Sequence, residues 1–295
     1  CGRHCGAQAA SSSPRYRSSE GGAVAIAGAG RDTAMLRPFC WCGWLAAGVV
    51  GIHMADQAQS GAPLLRIALV GDSLTYGNGS LSFDGRGPDD NRLRPSLSAR
   101  GSLGLELRQL LESWRGRGSV EIRVFARGGA AAMPDEYLPV QDCSPIKADN
   151  LTSCSFPRAP EFKAALAFIP RADVTVVMFG TNDAKNKPPL LEKAFEHGLQ
   201  GILEALHSAS RAGSQFIVVD PPDNNQTDKF LPESMAVVHQ QSRKAAAAVG
   251  ATFATLKNTL AKDRHELFTD GVHWTPLACF IAARTLFDLI MLKPA

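Results

Sequence analysis

From residue 64 onward, apolar and polar positions alternate between two periods. Leu64–Val70, LLRIALV, is a short apolar run ending at Gly71-Asp72-Ser73 and a Gly/Asn-rich turn, and it predicts a buried strand. Val120–Phe125 places Val120, Ile122 and Val124 in alternation and predicts a second strand, which runs into Arg127-Gly128-Gly129-Ala130. Val174–Phe179, VTVVMF, is continuously apolar and rich in β-branched residues, as a central parallel strand requires. Phe216–Val219 predicts a fourth strand, ending at Asp220-Pro221-Pro222, and Ala251–Leu256 a weaker fifth. Helical spacing fills the gaps. Ser102 caps a helix reaching Trp114, with Leu103, Leu107, Leu110, Leu111 and Trp114 on one face. Others are expected over Glu161–Phe168, Leu191–Leu206, Pro232–Val249 and Pro276–Leu292. Strand and helix alternate five times without a repeat or a linker. The expected fold is one three-layer α/β/α domain over residues 61–295, built on a mostly parallel five-stranded sheet.

Two stretches break the rhythm. Ser80–Gly101 holds Gly, Pro, Asp and Arg without periodicity and reads as a long surface loop at a strand's C-terminal end, where loops shape substrate sites. Pro134–Pro160 reads as an insertion carrying Cys143 and Cys154, which are candidates to close a short disulfide. Cys279 falls in a helical pattern and reads as a small core residue.

Residues 1–60 follow other rules and are expected to form a disordered extension. The first residue is Cys, and residues 1–34 are rich in Gly, Ala, Ser and Arg without apolar periodicity. From Met35, one positive charge is followed by the apolar run Phe39–Ile52, shorter than the ~20 residues a membrane span needs and suited to the core of a signal peptide over 35–58. That predicts a secreted or ER-lumenal protein, as do the loop cysteines and the sequons at Asn78, Asn150 and Asn225. The alternative is a start at Met54 and a cytoplasmic protein.

Charge narrows the partners. Lys and Arg total 31 against 28 Asp and Glu, a net charge of +3, spread along the chain with no basic run. Nucleic acid is therefore not expected as a partner. No His, Cys and carboxylate cluster has metal-ligand spacing, so neither metal nor other cofactor is expected.

Ser73, Gly129, Asn182 and Asp220 stand at four predicted strand ends, and in an open parallel sheet such ends share one ligand-binding edge. Near the C-terminus, FTDGVHW sets Asp270 three residues before His273. A carboxylate at that spacing can fix the imidazole tautomer and leave the other ring nitrogen to deprotonate a serine. The remaining histidines, His197, His207, His239 and His265, lie on helical or polar stretches and read as solvated. VVDPPDN is similar to a turn of some methyltransferases, but no glycine-rich nucleotide loop follows the first strand.

GDSLTYGNG, the glycine after the second strand, GTND and DGVH, in this order, resemble the four blocks of the SGNH (GDSL-type) hydrolases, from about Leu64 to the C-terminus. There is no G-x-S-x-G elbow, because Thr75 stands where it needs glycine. The resemblance implies a flavodoxin-like sheet and a serine ester hydrolase. Ser73 would be the nucleophile, His273 the general base and Asp270 its orienting acid. The oxyanion donors would be the N–H groups of Ser73 and Gly129 and the Asn182 amide. The second block departs from the family's usual form: VFARGGAA leaves Gly128 competing with Gly129. Asp72 and Asp183 are candidate substrate contacts, though both read better as loop braces, and Lys185 is a candidate contact for an anionic substrate.

GTNDAK is similar to family members acting on acetylated carbohydrates, so an acetylated carbohydrate or small-molecule ester is the expected substrate. The alternatives are an acyltransferase, a thioesterase or a lipase with the same triad, or a non-catalytic binding module on the same scaffold.

Overall fold

A computed structural model describes residues 63–77, 101–138, 154–224, 230–261 and 263–292. The 1–60 extension with its signal-like run, Cys143, the three sequons and all of the Ser80–Gly101 loop except Gly101 lie outside the described residues.

Five strands form one parallel sheet: β1 (Leu65–Gly71), β2 (Val120–Ala126), β5 (Val174–Met178), β6 (Gln215–Asp220) and β7 (Thr252–Thr255), in the order β2-β1-β5-β6-β7. The sequence of β1 shows why it lies near the middle. Ile67 and Leu69 face one way, into a cluster with Leu107 and Leu111 of α2 (Leu103–Arg115) and Ala282 and Leu286 of α6 (Pro276–Leu292). Ala68 and Val70 face the other, into a cluster with Ala165 of α3 (Pro160–Phe168), Leu199 and Leu203 of α4 (Pro188–Ala209) and Val238 of α5 (Pro232–Ala248). A strand covered on both faces must be apolar at successive positions, and the expected three-layer α/β/α architecture follows. A minor parallel pair, β3 (Ala130–Ala131) with β4 (Cys154–Ser155), ties the loop after β2 to the insertion.

Helix boundaries follow local chemistry. Ser102 caps α2 through the Leu105 N–H, as its sequence position predicts. Proline opens α3, α4 and α5, where a missing N–H costs nothing. For α4 this moves the start three residues before the expected Leu191. Trp114 corrects the sequence reading of α2: it is 60% exposed, while Leu103, Leu107 and Leu111 are buried. Leu110 and Trp114 lie at the edge of the stripe, and the solvent side takes the larger of them.

Candidate active site

The C-terminal ends of β1, β2 and β5 are neighbours, and the loops that leave them are held together by hydrogen bonds. The Arg127 N–H donates to Gly71 O at 3.2 Å, extending the β1–β2 ladder into both loops. Gly71 is needed for space and not for a turn: a Cβ there would stand 2.2 Å from Thr75 Oγ1 and 2.5 Å from Met178 O. Asp72 ends the strand with extended backbone and caps the short helix α1 (Ser73–Tyr76), its carboxylate accepting the Leu74 N–H at 3.0 Å. Ser73 is thus the first residue of that helix, 4% exposed.

His273 arrives from the opposite end of the chain. Its loop is clamped by an antiparallel bridge between Phe268 and Trp274, by the Thr269 N–H on His273 O at 2.8 Å, and by the wholly buried Trp274 ring. Ser73 Oγ lies 3.2 Å from His273 Nε2, and His273 Nδ1 lies 2.7 Å from Asp270 Oδ2. Asp270 Oδ1 accepts the N–H groups of Val272 at 3.0 Å and His273 at 2.7 Å. Burial works to raise this carboxyl, but the bonds from His273 and Val272 outweigh it and hold Asp270 below the usual range. A carboxylate can only accept, so Nδ1 carries the proton and Nε2 offers its lone pair to the serine hydroxyl.

After β2, Arg127–Ala130 closes a tight turn, with the Ala130 N–H on Arg127 O at 3.2 Å. Gly129 occupies its third position at φ 75°, which a side chain would resist, whereas Gly128 is not among the positive-φ residues. The loop after β5 grips the same segment. Asn182 Nδ2 donates to Ala130 O at 2.9 Å. The wholly buried Asp183 accepts the N–H groups of Ala132 at 3.1 Å and Met133 at 2.9 Å. The sequence-derived candidates Ser73, Gly129, Asn182, Asp270 and His273 therefore belong to loops that hydrogen bonds join at one sheet edge.

The model of the GDSL-like lipase/acylhydrolase family matches residues 69–278, most of the chain. The chain belongs to this family. No curated protein matches the chain by sequence. Among solved structures, it is similar to the lipase/acylhydrolase from Enterococcus faecalis, at 16% identity over 79% of this chain and 100% of that one, TM-score 0.51. Est24, a carbohydrate acetylesterase from Sinorhizobium meliloti, is 16% identical over 77% of this chain and 99% of its own, TM-score 0.50. A carbohydrate esterase family 2 enzyme with a carbohydrate-binding domain, from Corynascus thermopiles (Myceliophthora fergusii), is 15% identical over 79% and 67%, TM-score 0.51. At such identities these likenesses carry the SGNH fold.

The other candidates take distinct places in this GDSL-like hydrolase. Burial pushes Asp72 up to about 7 against its Leu74 bond, with the Asp183 carboxylate adding to the rise. Burial likewise pushes Asp183 up to about 6 against the Met133 and Ala132 bonds. Both carboxyls are wholly buried and brace loops through backbone N–H groups. Lys185 Nζ donates to Asn182 Oδ1 at 3.0 Å. Cys154 is disulfide-bonded, and Cys279 is a buried free thiol whose pKa burial pushes up to about 12.

His239 corrects the expectation of a solvated ring. It bridges Asp220 and Asp223, both at 2.9 Å, with its side chain 11% exposed. Burial alone would lower its pKa, but the two carboxylates overcome that and raise it. The signal available beforehand was Asp220, one of the four strand-end residues, nineteen positions before His239. Among the described residues no cluster of three or more His, Cys, Asp or Glu could hold a metal ion, and no helix is long and apolar enough to cross a membrane.

Proposed function

We propose that this chain is a serine ester hydrolase that works through an acyl-enzyme and removes acetyl groups from a carbohydrate. The observation that carries the reading is the hydrogen-bonded line from Ser73 Oγ through His273 to Asp270. Ser73 Oγ attacks the ester carbonyl carbon while its proton passes to His273 Nε2. The carbonyl oxygen gathers negative charge against the N–H groups of Ser73 and Gly129 and the Asn182 amide. Collapse expels the alcohol, which takes the proton from Nε2, and leaves acyl-Ser73. Water then repeats the cycle, giving its proton to Nε2 and releasing the carboxylic acid. Asp270 keeps the ring in the working tautomer and offsets the imidazolium charge.

The acetyl preference rests on the GTNDAK pattern, and two solved structures of like fold are named carbohydrate esterases. One observation favours longer acyl chains. Leu277 and Phe280, on the first turns of α6 just past His273, are 48% and 44% exposed.

The test is turnover of acetylated sugars and of p-nitrophenyl esters from acetate to decanoate, with Ser73→Ala as control. Acetyl esters should lead, and the variant should lose nearly all turnover. Undiminished Ser73→Ala activity would remove the nucleophile assignment, and a preference for decanoate would favour the lipase reading.

A further inference from the structure

We infer that Lys185 is a positioning residue for the oxyanion site, fixing the direction of the Asn182 amide by bonding its oxygen. The inference rests on the serine-hydrolase reading above. Asn182 precedes a single 3₁₀ turn, Asp183–Lys185, and residues three apart in such a turn lie one above the other. The lysine ammonium therefore returns to Asn182 Oδ1, at 3.0 Å. Nζ also lies 5.8 Å from the centroid of the Phe230 ring, and its charge acts on the buried Asp72 and Asp183 carboxyls.

The amide's two ends are thus told apart by chemistry. An ammonium has no lone pair and can only donate, so it selects the amide oxygen. Ala130 O can only accept, so it selects the amide nitrogen, at 2.9 Å. Turning the amide over would set NH₂ against ammonium and oxygen against oxygen. With one N–H spent on Ala130, the second N–H of Nδ2 remains for the carbonyl oxygen of an ester. Lysine also draws electron density through the amide carbonyl, which strengthens that remaining donor as negative charge develops. Asn182 is only 6% exposed, so water would be a poor substitute for the ammonium.

A different role was open for Lys185, as a contact for an anionic substrate, and the two roles predict different kinetics. With p-nitrophenyl acetate, which is neutral, a positioning residue should act on kcat. Lys185→Met should lower kcat about tenfold to a hundredfold, less than losing the donor outright, with KM within about twofold. Lys185→Arg, which also donates, should recover most of the loss, and Lys185→Gln part of it. In an Asn182→Ala background, Lys185→Met should cost less than about twofold more, because the amide it orients is gone. Thermal unfolding of each variant separates lost fold from lost positioning.

Wild-type kcat in Lys185→Met would overturn the inference. So would an equal loss in the presence and absence of Asn182, or a loss confined to KM. Failure of the serine-hydrolase reading would show separately, as undiminished turnover by Ser73→Ala.

Discussion

Replacing Asp270 by Asn should damage catalysis more than replacing it by Ala, the reverse of what lost volume would suggest. Among the bonds of the carboxylate are three from this loop: Oδ1 takes the N–H groups of Val272 and His273, and Oδ2 takes His273 Nδ1. An amide has one oxygen. Kept at the Oδ1 position, it preserves two backbone bonds and turns its NH₂ toward Nδ1. Nδ1 then becomes an acceptor, the ring proton moves to Nε2, and Ser73 meets an N–H in place of a lone pair. Turning the amide over restores the tautomer, but gives up two hydrogen bonds of about 1 kcal/mol each. Either way the imidazolium loses its carboxylate, a charged bond of about 1.5–3 kcal/mol. The low end applies, because Asp270's side chain is 49% exposed and solvent screens it. The sum, about 3–4 kcal/mol, corresponds to a kcat fall of about 10²–10³. Alanine leaves room for water at Nδ1 and imposes no tautomer, so its loss should stay near 2 kcal/mol, about thirtyfold. The assay is kcat for p-nitrophenyl acetate at pH 8, with and without formate. Formate should restore part of the Ala variant's activity and none of the Asn variant's. An Asn variant more active than the Ala variant, or equally rescued, would refute the tautomer argument.

Asp72→Asn keeps the cap on Leu74 and removes a buried charge. In the folded chain Asp72 titrates at about 7 rather than 3.8, so the native state holds its proton longer and this group's contribution to stability declines as pH rises between those values. In urea unfolding, the variant should therefore gain on wild type by on the order of 1–3 kcal/mol more at pH 8 than at pH 4, and a larger gain at pH 4 would contradict the assignment. Gly71→Ala would press a methyl onto the Met178 carbonyl, which belongs to a central strand and cannot give way. It should cost about 1–3 kcal/mol in stability and displace Ser73 two residues on, with at least a tenfold loss of kcat; a wild-type melting temperature would argue against that crowding.

Much of this was legible in the chain because parallel strands buried on both faces announce themselves. Ile67–Gly71 and Val174–Met178 are buried at every position. The partnership of Asp270 and His273 was legible because it is local, three positions within one loop. What escaped was tertiary. The apolar stripe of α2 did not say which of its residues the packing would cover, and Trp114 is left in solvent. His239 sits on a helix with polar neighbours, and only the packing of α5 over the end of β6 brings it between Asp220 and Asp223. Part of the reason for Gly71 was also hidden: Thr75 is local, but the backbone that crowds the position is Met178, more than a hundred residues away.

The neighbouring residues Asn182 and Asp183 show why a short motif can carry so much. Residues 130–133 present a carbonyl first, at Ala130, and two N–H groups next, at Ala132 and Met133. The loop after β5 must offer a donor to the first and acceptors to the second. Amide followed by carboxylate meets that polarity, and the exchanged order Asp-Asn would set oxygen against oxygen at one end and NH₂ against N–H at the other. The carboxylate endures complete burial because both oxygens are taken up by the backbone it holds. The Gly129 turn is thereby gripped one residue downstream by the amide and again by the acid. The amide that grips it is the side chain proposed to receive the oxyanion, so backbone donor and side-chain donor are set relative to each other by the same bonds. This coupling is why Lys185, through its bond to the amide oxygen, can act on the pair.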